Sequence, residues 1–302
     1  MKKYYENNNL ELYNCDCLEL LKTIDDESIN LIYCDIPYNT NIKFNSFNDN
    51  LGNPQQAVDY YRPRFKEMRR VLKNNGAIFI HCSRRLDCYI GMLLDEIFGY
   101  DNYRNKIYRK HSKERNFYNN FDSLIDVIFY YCKDGNKYVF NKQLDSKQKL
   151  VPLFASGYNG NSYNQFTINN ETINLNEINY HIIVREKELL DLIKNNQISL
   201  VNGLPYMKSN TISIPNIWDE EEMLDKYDRT NFNNTFDTPK PIAIVKKIIE
   251  TCSNPGDVIA DFFVGSGTTM IACKQTNRKG IFCDINEENC KYIEKKLSNE
   301  DN

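Results

Sequence analysis

A doubly wound α/β fold with a mostly parallel sheet is the fold class this sequence predicts, and three observations carry that expectation. Near-continuous apolar runs at 29–34, 77–82, 125–132 and 258–262 alternate with stretches of helical spacing, as strands do when helices cover both faces of their sheet. The last of these runs leads into Gly265-Ser266-Gly267 and a helical stretch, a turn that can seat a ligand over a strand end and against a helix N-terminus. From about 146 to 236 the apolar runs vanish and Gly, Asn, Ser and Thr dominate. That break predicts an inserted module, with one half of the α/β domain at 1–145 and the other at 237–302.

Taken in order, residues 10–14 read as a short strand, 17–23 as a helix and 29–34 as a strand buried on both faces. After an Asn-rich loop, Pro54 opens a helix to Leu72, since its fixed φ suits a first helical turn. Asn74-Asn75-Gly76 is the stop signal. A strand at 77–82, a helix at 84–98 ended by Gly99 and a strand at 125–132 complete the first half. In the middle module only an amphipathic helix at 186–195 stands out, expected as local core rather than as a reader of the major groove. The second half reads as a helix at 241–252, a strand at 258–262, a helix after the glycine turn, a strand at 280–283 and a last helix at 287–297.

The chain of 302 residues can bury a sizeable core. Its net charge of −3 excludes a globally basic nucleic-acid binder, so any such contact must use a local patch. None of the ten cysteines is spaced C-x-x-C and most lie in apolar runs, which predicts buried free thiols in a reducing compartment. His81, His111 and His181 share no ligand spacing, so no metal is expected. There is no secretory h-region and no run of membrane-spanning length, hence the expectation of a soluble, cytoplasmic protein without a membrane partner.

The glycine turn narrows the cofactor. A dinucleotide site wants a third Gly or Ala where this chain has Met270, and no Gly-Lys-Ser/Thr of a P-loop follows. Asp261 just before the turn disfavours a pyrophosphate but suits an ammonium and a sulfonium, while Asp284 ends the next strand where a carboxylate can accept from ribose hydroxyls. S-adenosylmethionine fits better than NAD or ATP. The plainer alternative is a turn that only joins a strand to a helix.

Asp35-Ile36-Pro37-Tyr38, followed by Asn39-Thr40, closes the run at 29–34. With Asn14–Leu21, Phe236–Pro241 and Phe262–Gly267 in this order, it resembles the β class of amino-methylating DNA methyltransferases, whose motif is Asp/Asn/Ser-Pro-Pro-aromatic. The resemblance covers nearly the whole chain. Leu94–Gly99, the stretch at 215–220 and Phe236–Pro241 look most similar to type III restriction-modification methylating subunits, which are longer. It implies transfer of a methyl group from S-adenosylmethionine to the N6 amine of adenine in DNA, on a methyltransferase fold with a target-recognition insert. Asp35, Ile36, Pro37 and Tyr38 would be catalytic, and Asp16, Cys17, Lys240, Asp261, Phe262, Phe263, Gly265, Gly267, Thr268 and Asp284 would bind cofactor. Double-stranded DNA is the implied partner, with a homodimer and a cognate restriction nuclease as further expectations.

The departure is Ile36, where the motif has proline. The exocyclic amine of adenine needs acceptors for its hydrogens, and the Asp35 carboxylate and the carbonyl of residue 36 would supply them. That carbonyl survives the change. Tyr38 offers a face for an extruded base, worth roughly 1–3 kcal/mol. The bland reading is an Asp-x-Pro turn. Cys34 reads as a packed thiol rather than a cytosine-C5 nucleophile. The stretch 108–120, the most basic, reads as a DNA loop in which Arg109, Lys110, Lys113 and Arg115 meet phosphates, against the plainer reading of a solvated charge run. Rival functions are N4-cytosine methylation, which typically uses Ser in place of Asp35, and a non-catalytic nucleic-acid-binding subunit.

Overall fold

The computed structural model describes residues 1–302 except 8, 41–48, 112–123, 143, 158, 161, 212, 225–239 and 301–302. The chain forms two compact units, one of Met1–Asn141 with Pro215–Asn302 and one of Lys142–Ile214.

The first unit holds β1 (Lys2–Asn7), β2 (Leu10–Asn14), β3 (Ile29–Asp35), β4 (Leu72–Ser83), β5 (Tyr103–Lys110) and β6 (Ile125–Cys132). The second holds β7 (Leu144–Pro152), β8 (Phe154–Ser156), β9 (Gln165–Ile168), β10 (Glu171–Asn174), β11 (Tyr180–Ile182), β12 (Ile198–Val201) and β13 (Leu204–Thr211). The first then resumes with β14 (Ile217–Asp219), β15 (Val258–Asp261) and β16 (Lys279–Asp284). Its nine strands form one sheet in the order β1-β2-β16-β15-β3-β4-β6-β5-β14. Neighbours from β2 to β4 are parallel, as are β14 and β5; β1 is antiparallel to β2, and β6 to both β4 and β5. This is the α/β class the sequence predicts, its parallel centre made of fully buried runs such as Leu31, Ile32 and Tyr33.

The helix Pro54–Val71 lays Tyr61, Phe65 and Met68 onto the sheet core. Its start is set by a reciprocal capping box: Gln56 N–H donates to Asn53 Oδ1 at 3.0 Å and Asn53 N–H to Gln56 Oε1 at 2.8 Å. It stops at Val71 and passes straight into β4, so Asn74-Asn75-Gly76 is not its cap. The register instead skips from Ile29↔Leu72 to Leu31↔Ala77, and a Cβ on Gly76 would sit 2.8 Å from the Asn30 carbonyl oxygen. Gly76 marks a bulge that only glycine fits. The next helix begins at Asp87 rather than at 84, because residues 84–86 form a turn closed by Leu86 N–H on Ser83 O at 3.1 Å.

Strands β1 and β5 have no counterpart among the sequence expectations, and neither do the strands of the second unit. That unit has its own core, in which Leu189 and Leu192 of the helix Glu186–Lys194 meet Phe166, Ile168, Leu175 and Ile198. It also ends earlier than expected, because β14 at 217–219 returns to the large sheet. No helix among the described residues is long and apolar enough to cross a membrane. All ten cysteines are free thiols, and Cys88 alone is exposed.

Asn53→Ala removes one half of the capping box and is expected to cost about 1 kcal/mol. Thermal denaturation should show a Tm lower by about 1–3 °C; an unchanged Tm would mean the cap does not support this helix.

Candidate active site

Because β2, β16, β15, β3 and β4 run parallel, their C-terminal ends share one edge, and the chemistry-bearing residues gather there. Asp35 is the last residue of β3. The turn after it is pinned at three backbone positions: Ile36 N–H donates to His81 O at 3.1 Å, Tyr61 Oη to Pro37 O at 2.9 Å and Ser83 Oγ to Tyr38 O at 3.0 Å. Further on, Asp49 receives the N–H groups of Asn39 and Thr40, both at 2.8 Å. A proline at 36 could not donate the first of these bonds, so Ile36 regains by a hydrogen bond the stiffness a ring would give.

The Asp35 carboxylate is half-buried and holds two donors. Lys240 Nζ lies 2.5 Å from Oδ2, and the Tyr38 hydroxyl donates to Oδ1 at 3.1 Å. That hydroxyl also lies 3.0 Å from Asp126 Oδ2, so the tyrosine bridges two carboxylates. Burial, with the charges of Asp35 and Asp126, pushes its phenol well above the usual range and keeps it a donor.

Behind Asp35 lies a buried ion network. Asp126 enters from the start of β6 and meets Arg109 Nη1 at 2.9 Å; Arg109 Nη2 meets Glu220 Oε2 at 2.7 Å, and all three are buried. His81, from β4, has Nε2 3.0 Å from Asp126 Oδ1, off the line of a straight hydrogen bond. Its Nδ1 is 3.0 Å from Tyr33 Oη and 3.6 Å from Asp35 Oδ1. Burial alone would raise Asp126, but His81, Arg109 and Lys240 hold it far below the usual carboxylate range. His111, 3.4 Å from Asp126, is lowered to about 4, by burial first and then by the neighbouring Arg109 and Lys240 charges.

The glycine turn occupies the adjacent strand ends. Gly265 and Gly267 both have positive φ, 52° and 79°, and Gly267 caps the helix Thr268–Gln275. Asp284, ending β16, accepts Gly265 N–H at 2.9 Å and Asn286 N–H at 2.8 Å. Burial pushes its carboxyl up, and those two donors draw it partly back. Asp261, ending β15, accepts Phe263 N–H at 3.0 Å and the Thr269 hydroxyl at 2.6 Å, yet burial raises it to about 7. Asp16 caps the helix Cys17–Leu21 by accepting Leu18 N–H at 2.8 Å and pairs with Arg64 at 2.5 Å. Asn14 Nδ2 donates to the carbonyls of Asp284 and Ile285, both at 3.0 Å, tying that segment to the turn.

The structure thus gathers the expected residues at one edge, but some do other work. Lys240 reaches Asp35, while its carbonyl accepts from Thr268 Oγ1 at 3.3 Å, so it links the two turns. Phe262 is core, leaving its main chain as the part that can face a ligand. Cys17 is buried, and burial pushes its thiol up to about 12; Cys34 is fully buried and likewise raised well above the usual thiol range, as a packed thiol should be. Arg109 is not a phosphate contact: it is 4% exposed and spent on two carboxylates. Lys110 is exposed and lies 2.7 Å from Asp219, whereas Lys113 and Arg115 fall outside the described residues. Sequence reasoning missed His81, Asp126 and Glu220. The period-2 alternation of Ile107 and Arg109 in YRNKIYRK was the available signal that this basic stretch begins as a strand.

A family model described as DNA methylase, for N6 and N4 methyltransferases, matches residues 29–295, and the chain belongs to that family. Among curated relatives, the type II methyltransferase M.EcaI of Enterobacter cloacae is 29% identical, over 86% of this chain and 63% of that protein. The type III StyLTI Mod subunit of Salmonella typhimurium is 26% identical over 91% and 51%, and the DNA adenine methyltransferase YhdJ of Escherichia coli 26% over 90% and 77%. The chain therefore spans under two thirds of M.EcaI and about half of StyLTI Mod. Among solved structures, the cytosine-N4-specific PvuII DNA methyltransferase superposes with a TM-score of 0.59 over 99% of this chain and 93% of that one, at 14% identity, a likeness of fold.

The raised Asp261 has a signed consequence. A carboxyl near 7 when folded and about 4 when unfolded favours the folded state below pH 4, and this contribution is lost as pH rises through 7. Urea titrations of the parent and Asp261→Asn across pH 4–8 should show the variant losing that part of the decline; parallel curves would refute it.

Proposed function

We propose that this protein transfers a methyl group from S-adenosylmethionine to the N6 amine of adenine in DNA. One observation carries the reading: Asp35, the Ile36 carbonyl and the Tyr38 ring stand on a pinned turn beside a glycine turn with its own strand-end carboxylate. The residues fit the cosubstrate at its ribose, since Asp284 and Asp16 can accept from ribose hydroxyls, while Asp261, buried and bonded through both oxygens, shapes the turn instead of meeting the methionine end. When bound, it supplies an electrophilic methyl group. The chain's own part is to hold the amine: Asp35 and the Ile36 carbonyl accept its two hydrogens and turn its lone pair outward, while Tyr38 supports the extruded ring.

The relatives' names support methylation of DNA and leave the base open, because the family model covers N6 and N4 methyltransferases alike and the chain is similar in sequence to a DNA adenine methyltransferase and in fold to a cytosine-N4-specific one. Asp35, where N4-cytosine members typically have serine, favours adenine. The unit Lys142–Ile214, with a core of its own, is the proposed reader of DNA sequence. The restriction-modification name of the StyLTI Mod subunit favours a cognate nuclease as partner.

Digestion of methylated DNA to nucleosides tests the base: N6-methyladenine is expected, and N4-methylcytosine would overturn the assignment. Asp35→Ala should lower turnover at least about a hundredfold while S-adenosylmethionine affinity stays within about threefold. Tyr38→Phe should cost about tenfold, because its hydroxyl orients Asp35. Finding neither methylated base, with Asp35→Ala indistinguishable from the parent, would favour the non-catalytic alternative.

A further inference from the structure

His81 and Asp126 are buried, titratable and unused by the chemistry above. The imidazole lies between two carboxylates, Nδ1 toward Asp35 at 3.6 Å and Nε2 toward Asp126 at 3.0 Å. The transfer proposed above creates a need at this place. As the N6 lone pair forms a bond to the methyl carbon and the C–S pair leaves with sulfur, the nitrogen is left with a proton too many. Asp35, in contact with an amine hydrogen, accepts it, and must then release it to serve again as an acceptor.

We infer that His81, backed by Asp126, takes this proton from Asp35 and is the positioning and proton-storing residue of the site. The inference rests on the methyltransferase reading. Three features of the surroundings support it. Asp35, Asp126 and Glu220 face Arg109 and Lys240, so among the described residues the cluster has one negative charge uncompensated and room for one proton. A carboxylate behind the ring stabilises the imidazolium, as a buried aspartate does for the histidine of a hydrolytic triad. Tyr33, 3.0 Å from Nδ1, can donate to the neutral ring and accept from the charged one, so the proton can arrive without leaving a buried group unpaired.

Competing acceptors are poorly placed. The groups facing His81 are Tyr33 and Asp35 from β3, Tyr38 from the turn and Asp126 from β6; Lys240 is paired to Asp35, Arg109 and His111 meet Asp126, and Glu220 pairs with Arg109. His111 meets Asp126 and Glu220, and burial with nearby cations holds it at about 4, so it remains neutral near pH 7. Tyr33 and Tyr38 are raised well above the usual phenol range, by burial first, and act as donors.

Two measurements test the inference. The chain has three histidines, so their ring signals can be followed by heteronuclear NMR, with His81→Asn identifying the one concerned. Asp35→Asn should move the His81 titration to lower pH by removing a negative neighbour; a titration left in place overturns the inference, whether or not the protein turns over DNA. Single-turnover rates across pH form the second arm. His81→Asn should lower the plateau about tenfold or more and shift the acid limb to lower pH, with KM for DNA within about threefold. A lowered plateau with the limb unmoved would mean a structural role and overturns the inference, as does a profile equal to the parent's. Asp126→Asn, expected to move the limb the same way, stands in if His81→Asn does not fold. Absence of methylated DNA from the parent refutes the methyltransferase reading, and the NMR arm then decides alone.

Discussion

Parallel alignment of five strands is the constraint from which the site follows. It brings the ends of β3, β15 and β16 to one edge, and each delivers a carboxylate there: Asp35, Asp261 and Asp284. Like charges so close, two of them buried, would oppose folding unless each were committed to donors. Each is: Asp35 to Lys240 and Tyr38, Asp261 to the Phe263 amide and Thr269, Asp284 to the Gly265 and Asn286 amides. Those donors come from the turns that must be held in shape, so the groups that neutralise the edge also build the two turns.

The antiparallel strands extend the same logic. Since β6 runs opposite to β4, its beginning lies at the edge where β4 ends, and Asp126 pairs in register with Ser83. Strand β5 reverses again and ends there, Arg109 opposite Asp126, and β14 adds Trp218 opposite Arg109 with Glu220 next in sequence. The ion network behind Asp35 therefore draws on chain from both sides of the second unit, since β14 follows it in sequence. Burying Asp126, Arg109 and Glu220 carries a large desolvation cost, and a well-packed apolar trio would often be no less stable. Their placement beside Asp35 suits the role proposed for that carboxylate, a fixed electrostatic surrounding in which it would accept hydrogen bonds and a proton.

The parallel centre of the sheet was legible because buried strands write near-continuous apolar runs, and Asp35 and the glycine turn because each interrupts such a run at its end. What could not be read was long-range pairing. Arg109 looks in the sequence like one more cation in a basic loop; only the antiparallel partner β6, contributing Asp126, turns it inward. The small strands of the second unit were invisible for a related reason: three to nine residues long and rich in polar groups, they are set by their partners more than by their own pattern. Lys240 shows a third limit, since its neighbours in sequence suggested a ligand contact and its side chain found Asp35 instead.

Ile36 joins these levels. In the motif it is the unusual residue, and read alone it suggests loss of rigidity at the acceptor turn. In the fold its side chain is 1% exposed and its N–H extends the β3–β4 ladder by one bond, to the carbonyl of His81. Proline restricts φ but removes that donor, whereas isoleucine keeps the donor, and Pro37 still holds residue 36 in extended geometry. A ladder bond of this kind contributes about 1 kcal/mol, comparable to the conformational restriction it replaces. It also fixes the backbone of His81 to that of Ile36, so the proposed proton acceptor and the carbonyl proposed to orient the amine are set by one hydrogen bond. The substitution that looks like decay in the motif is accounted for by a contact that proline could not make.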